Sequence, residues 1–141
     1  MTFQIAVTDD LLACHTLRIK VFVGEQNISM DEEFDDLDDV STHFLAVDDS
    51  GAPVGTARLY ETGEVGHLGR ICVDSSCRGT GLGAALVRAG VAEMRRRLHL
   101  RKAHLGAQCH AIGFYERLGF QVCGDEYDDA GIPHVPMECD L

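Results

Sequence analysis

The chain has 141 residues, enough for one domain around one hydrophobic core, and hydrophobic residues make up 45% of it, an ordinary globular share. A formal net charge of −11 disfavours nucleic acid as a partner, because phosphates would be repelled. No apolar run is long enough to span a bilayer, and the start, Met1-Thr2-Phe3-Gln4-Ile5, lacks the basic and apolar segments of a signal peptide, so a soluble cytoplasmic protein with no membrane partner is expected.

Residues 3–7 read as a short strand. Thr8 is placed to cap a helix over about 10–23, with Asp9 and Asp10 in its first turn, where acids suit the helix dipole. The segment 31–39 holds seven acids. It reads as a solvated loop or short irregular helix, and its field would attract a cationic substrate such as an amine. Residues 43–47 and 54–60 are strands joined by the turn Asp48-Asp49-Ser50-Gly51, which makes them a hairpin. A third strand covers 64–73, where Gly66 and Gly69 suggest a bulge or a close backbone approach.

The clearest helix spans 80–99. Leu82, Ala85, Leu86 and Ala89 recur at helical spacing, and Val87, Val91, Met94 and Leu98 widen the stripe. A buried strand over 103–108 follows, then a short helix over 110–118 ended by Gly119, a strand over 120–126, a turn at 128–131 and a returning strand over 134–139. The order β-α-β-β-β-α-β-α-β-β describes an α/β (α+β) chain, one domain over residues 1–141, with a mixed sheet and helices on both faces. Strands at either end of the sheet, for example 134–139, could pair two copies into a homodimer. The six cysteines lack zinc or disulfide spacing and read as small buried hydrophobes kept reduced, so no metal is expected.

The strongest local signal is Arg78-Gly79-Thr80-Gly81-Leu82-Gly83-Ala84, between a strand and an amphipathic helix. The first helical turn leaves backbone N–H groups without partners at the positive end of the dipole. Glycines let a pyrophosphate approach those groups, and Arg78 adds a charge beside them. A P-loop would need Gly-Lys-Ser/Thr at its end, and Leu82-Gly83-Ala84 is not that. A dinucleotide fingerprint would need an acid about 20 residues on, and 98–103 supplies none.

Arg78-Gly79-Thr80-Gly81-Leu82-Gly83 resembles the Q/R-x-x-G-x-G/A signature of the GNAT superfamily of acetyltransferases. Phe114-Tyr115-Glu116-Arg117-Leu118-Gly119-Phe120 resembles the family's other common element, in the expected order. Residues 21–27, the acids at 36–39 with His43, and Gly131-Ile132-Pro133-His134 further resemble the ElaA-type branch. The resemblance covers nearly the whole chain. It implies an acetyl-CoA site in a V-shaped opening between the strand ending at Val73 and the strand 103–108. Backbone groups of Ile71, Cys72 and Val73 would bond the pantetheine arm, and N–H groups of Gly79, Thr80, Gly81, Leu82, Gly83 and Ala84 would hold the pyrophosphate, with Arg78 as helper. Many relatives carry Asn seven residues before the tyrosine, where this chain has Gln108. Many have proline after the strand, where Ser75 stands here.

The implied reaction is acyl transfer from acetyl-CoA to the primary amine of a small molecule or protein. Tyr115 is the expected acid for the departing thiolate, since an unperturbed phenol of pKa about 10 stays protonated at neutral pH; packing on the face of Ala111, Phe114 and Leu118 is its alternative. A backbone N–H near Cys72 or Val73 would serve the oxyanion. The base stays open among Glu25, Glu64, His67, Glu126, His134 and a bound water. Glu25, His67 and His134 are the expected acceptor-side residues, and His15, His99, His104 and His110 are expected to be structural or exposed. A catalytically silent CoA-binding module is the competing expectation.

Overall fold

In the computed structural model, residues 2–33 and 35–141 are described. Eight strands form one mixed sheet in the order β1-β2-β3-β4-β5-β8-β6, with β7 also on β8. They are β1 (Gln4–Thr8), β2 (Thr42–Val47), β3 (Pro53–Thr62), β4 (Val65–Val73), β5 (Lys102–Gln108), β6 (Gln121–Val122), β7 (Tyr127–Asp129) and β8 (Ile132–Asp140). The helices are α1 (Leu11–Arg18), α2 (Met30–Glu33), α3 (Leu82–Arg96) and α4 (Ile112–Glu116). The expected mixed sheet is present with one strand more, because the expected strand over 120–126 is only Gln121–Val122 and a short β7 follows it. The strand at 132–140 is interior, paired with β5 on one side and with β6 and β7 on the other, so the sheet's outer strands are β1 at one edge and β6 and β7 at the other. Among the described residues no helix is long and apolar enough to cross a membrane.

Asp10, not Thr8, caps α1, accepting from the Ala13 N–H at 3.0 Å. The helix changes to π-helical winding over Ile19–Glu25. Its face of Leu17, Val21 and Phe22 packs on Cys72 from one side of the sheet. On the other side α3 lies against β3 and β4, with Leu82, Leu86, Val87, Val91 and Met94 in the main core. The contact is close: a Cβ on Gly90 would stand 2.6 Å from Leu68 Cδ1. Leu98 lies beyond the helix end at 95% exposure and is not part of the stripe; Leu100 is the buried residue there. The helix also begins later than expected, because Gly81 at φ +87 is its N-cap.

β4 carries the bulge that its glycines suggested. Its register against β3 shifts so that Thr56 faces Cys72 while Arg58 faces Gly69. Arg70 sits there in the left-handed region at φ 48. One extra residue inverts the side-chain alternation. Leu68 points to the α3 core before the bulge and Ile71 and Val73 do so after it, which sends Cys72 to the α1 side. β4 and β5 run parallel but pair only over Val65–Lys102, Gly66–Ala103 and His67–His104. Beyond that row they part, leaving a V-shaped gap in the middle of the sheet.

Candidate active site

The gap opens into a cavity of about 600 Å³. Its lining reaches Arg78, the residue before the glycine-rich turn, whereas residues 79–84 do not line it. Gly79 and Gly81 both hold positive φ, 77 and 87, and a Cβ built on either meets no atom within 4 Å. Glycine is needed there for the backbone turn, and the space beside it is open. The turn is held from below: the Thr80 hydroxyl donates to the Cys77 carbonyl at 2.5 Å, and Leu82 is buried in the core, so only its backbone faces out. These features suit a pyrophosphate on backbone N–H groups at the start of the 15-residue helix α3.

Arg78 lines the cavity, but its guanidinium is engaged. Nη2 donates to the Val73 carbonyl at 3.2 Å and pairs with Glu25 at 2.6 Å. Glu25 therefore stands at the glycine-turn end, not on the acceptor side, and does not line the cavity. Ile71 and Val73 line it. The Cys72 side chain faces away into the α1 cluster, its thiol pushed up to about 12 by burial, which leaves its backbone as the available part. Gln108 lines the cavity, donating to Gln26 Oε1 at 3.0 Å and bonded to His110 Nε2 at 2.7 Å. Gln26 ends the π-helical turn, so this bond ties the first helix to β5 across the gap.

Tyr115 stands on α4 with its ring edge-on to Phe114 and Phe120, at centroid separations of 5.0 and 6.2 Å. Burial pushes its hydroxyl up to about 12, which keeps it protonated. A packed ring and a protonated hydroxyl thus coexist in one side chain.

His67 lines the cavity at the row where β4 and β5 part, and His134 lines it farther along β5, opposite Gln108; Glu64 and Glu126 do not line it. His104 and His110 line it too; His110 is exposed, as expected, and His104 is half-buried against His67. His67 stacks on Tyr60 at 4.7 Å and meets His104 edge-on at 5.2 Å. Its proton affinity is lowered by burial first and by His104 second. His134 donates Nδ1–H to the Ile132 carbonyl at 2.7 Å, which turns Nε2 away from that carbonyl, and it stacks on Tyr127. All three tyrosines of the chain, Tyr60, Tyr115 and Tyr127, line this one cavity. The family resemblance points only to Tyr115. The signal for the others was the position of Tyr60 and Tyr127 on strands beside histidines, visible only once the register is known.

Within the acidic segment, Met30–Glu33 and Asp36–Val40 form short helical turns, one of the two expected forms; Asp36 and Asp39 are exposed, whereas Glu33 and Asp38 are buried. Arg18, only 1% exposed, pairs with Glu33 and donates to Asp38 at 2.8 and 3.2 Å. Arg58 forks onto Asp35 at 2.7 and 2.8 Å and reaches Asp38 at 3.0 Å. Arg70 at the bulge pairs with Glu33 and Asp35 at 3.3 and 3.2 Å. Three arginines thus balance three acids. Glu33, Arg58 and Arg70 border the cavity, so these acids position the β4 bulge more than they project a field. Arg18 on an otherwise apolar helix face was the available clue.

The six thiols are free; Cys14, Cys72 and Cys77 are buried as expected, whereas Cys123 is exposed. Among the described residues no cluster of three or more His, Cys, Asp or Glu could hold a metal ion.

The family described as "Acetyltransferase (GNAT) domain" matches residues 11–141. The uncharacterized N-acetyltransferase YjcF of Bacillus subtilis is 37% identical over 131 residues, covering 86% of each chain. Among solved structures, an acyl-CoA N-acyltransferase from Pseudomonas aeruginosa superposes with TM-score 0.86 at 30% identity, covering 98% of both chains. Escherichia coli ElaA superposes with TM-score 0.78 at 27% identity, again over 98% of both.

Proposed function

Because the chain belongs to the GNAT acetyltransferase family, we propose that it transfers an acyl group, acetyl foremost, from acyl-CoA to a primary amine by direct attack. The observation that carries this proposal is the parting of β4 from β5 after His67–His104, which opens a cavity lined from Val73 and Arg78, next to the glycine turn, to Tyr115 and the histidines. In the proposed complex the backbone N–H groups of residues 79–84, with Arg78, hold the donor's pyrophosphate. Residues 71–73, on the stretch of β4 that has no β5 partner, bond the pantetheine amides as a strand would, and Gln108 bonds it from β5. A backbone N–H of 71–73 receives the oxyanion.

Tyr115 protonates the sulfur as the C–S bond breaks. A phenol at about 12 is a weak donor toward a water-exposed thiolate. The sulfur leaves inside the same desolvated cavity, which raises its own proton affinity and narrows that gap. Of the expected acceptor-side residues, His67 and His134 keep that role in the proposal; Glu25 serves Arg78 instead.

The test is an acetyl-CoA assay against spermidine, kanamycin, phenethylamine and an Nα-blocked lysine peptide, following thiol release and acetylated product by mass. The expected result is turnover with at least one acceptor. Binding of acetyl-CoA with no thiol release from any of them would favour a CoA-binding module. Tyr115→Phe should keep acetyl-CoA affinity and lower kcat about a hundredfold; unchanged turnover in a chemistry-limited assay removes the acid role.

A further inference from the structure

We propose that His67 is the base that deprotonates the acceptor amine, and that His104 is the positioning residue that tunes it; this rests on the acyltransferase activity proposed above. The two histidines are register partners on parallel strands and occupy the last paired row before the strands part. Both line the cavity, on the row from which the gap opens. Their rings lie 5.2 Å apart, too close for both to carry a proton without mutual cost.

The surroundings fix the His67 ring on two sides. The Tyr60 ring stacks on it nearly parallel, at 11°, and its Nε2 lies 2.6 Å from the Thr62 hydroxyl oxygen. In the tautomer where Nε2–H donates to Thr62, the lone pair is on Nδ1, which takes the proton. Burial and His104 both push His67 down from its ordinary value, so it is neutral at physiological pH. The other titratable and charged groups around the same cavity are Tyr60 and Arg58 from β3, Arg70 from β4, Arg78 before α3, Tyr127 and Asp129 from β7, His134 from β8, Glu33 from α2, and His110 and Tyr115 near α4. Arg58, Arg70 and Glu33 are held in the ion-pair network, and the His134 Nδ1–H is held by the Ile132 carbonyl. His67 and His104 have no carboxylate among their described contacts.

The protons balance as follows. The acceptor arrives as ammonium and gives one proton to His67. The freed nitrogen lone pair forms the C–N bond and the C–S bond breaks. Sulfur takes the Tyr115 proton, and the proton left on nitrogen after attack returns to Tyr115 directly or through water. The imidazolium releases its proton to solvent, so ammonium and thioester become amide, thiol and one proton.

The experiment is the pH dependence of kcat/KM in the wild type, His67→Gln and His104→Gln, with acetyl-CoA and the best amine of the panel, alongside NMR titration of the imidazole C–H signals. The acidic limb of the wild-type profile should coincide with the His67 titration and lie below about 6.5. In His104→Gln both should move together to higher pH, because the electrostatic push of His104 that lowers His67 has been removed. A merely structural His104 would lower the rate without moving the limb. His67→Gln should abolish the limb and lower kcat about a hundredfold or more, with acetyl-CoA affinity within about twofold as the check on folding. Persistence of the limb in His67→Gln, or a His67 titration that does not track it, overturns the assignment. No transfer by wild type that binds acetyl-CoA overturns the parent activity, and the base with it.

Discussion

Replacing Asp38 with asparagine should cost about 3 kcal/mol of folding stability. This carboxylate is 7% exposed and accepts from Arg18 at 2.8 and 3.2 Å, Arg58 at 3.0 Å and His15 Nε2 at 2.9 Å. Removing one partner of a buried ion pair costs about 3–5 kcal/mol, mainly because the remaining charge is left buried. The lower end applies here, since Arg18 keeps Glu33 and Arg58 keeps Asp35. For a chain of this size that corresponds to a fall of about 10 °C in Tm. The loss also has a pH signature. Burial by itself would raise the Asp38 carboxyl, but hydrogen bonds from Arg18, its charge, and then Arg58 and His15 hold it well below the usual carboxylate range. A depressed folded value contributes stability that is complete above the unfolded value of about 3.9 and is lost as pH falls toward the folded one. The gap between wild type and Asp38→Asn should therefore shrink below about pH 4. Glu33 works the other way: burial raises it, so its ionisation becomes a cost as pH rises through its folded value. It is present in both proteins and largely cancels. Urea unfolding followed by circular dichroism, at neutral pH and at about pH 3.5, measures the difference. A loss under about 1 kcal/mol at neutral pH, or a gap that does not change with pH, would refute a buried network and return these acids to the solvent.

Two further substitutions address the donor end. Glu25→Gln releases Arg78 from its ion pair and removes a negative charge beside the proposed pyrophosphate site, so calorimetry should show acetyl-CoA binding up to about fivefold tighter, the range of a half-exposed ion pair; weaker binding would show that Glu25 aids the donor. Gly81→Ala forces a Cβ into the left-handed N-cap of α3, at a cost of about 1–2 kcal/mol, measurable as a shifted urea midpoint. Acetyl-CoA affinity should fall as well, and unchanged affinity would separate the turn from the ligand.

The turn at 79–83, the stripe of α3 and the position of Tyr115 were legible in the chain because each is a local signal. A glycine at a helix start, apolar residues at helical spacing and a tyrosine before a glycine cap need no distant partner to be read. The β4 bulge was half legible: Gly69 marked the place, but the inversion that sends Cys72 one way and Ile71 and Val73 the other depends on register against β3. The acids at 33–38 misled for the same reason. Charge runs are usually solvated, and only contact with Arg18 and Arg58, which lie 15–23 residues away, turns them into a buried network. His104 was passed over because a strand histidine has no chemistry until its neighbour is known.

Local patterns along the chain were thus enough to establish the mixed α/β architecture, the family resemblance and a glycine-rich helix start, since backbone preference and side-chain period act over a few residues. Which groups meet was settled by the sheet alone. Parallel pairing stops after His67–His104, Glu25 reaches Arg78 rather than the acceptor side, and Gln26 crosses to Gln108. Those pairings join residues up to 82 positions apart, and no local preference specifies a partner at that distance; packing of the whole sheet does.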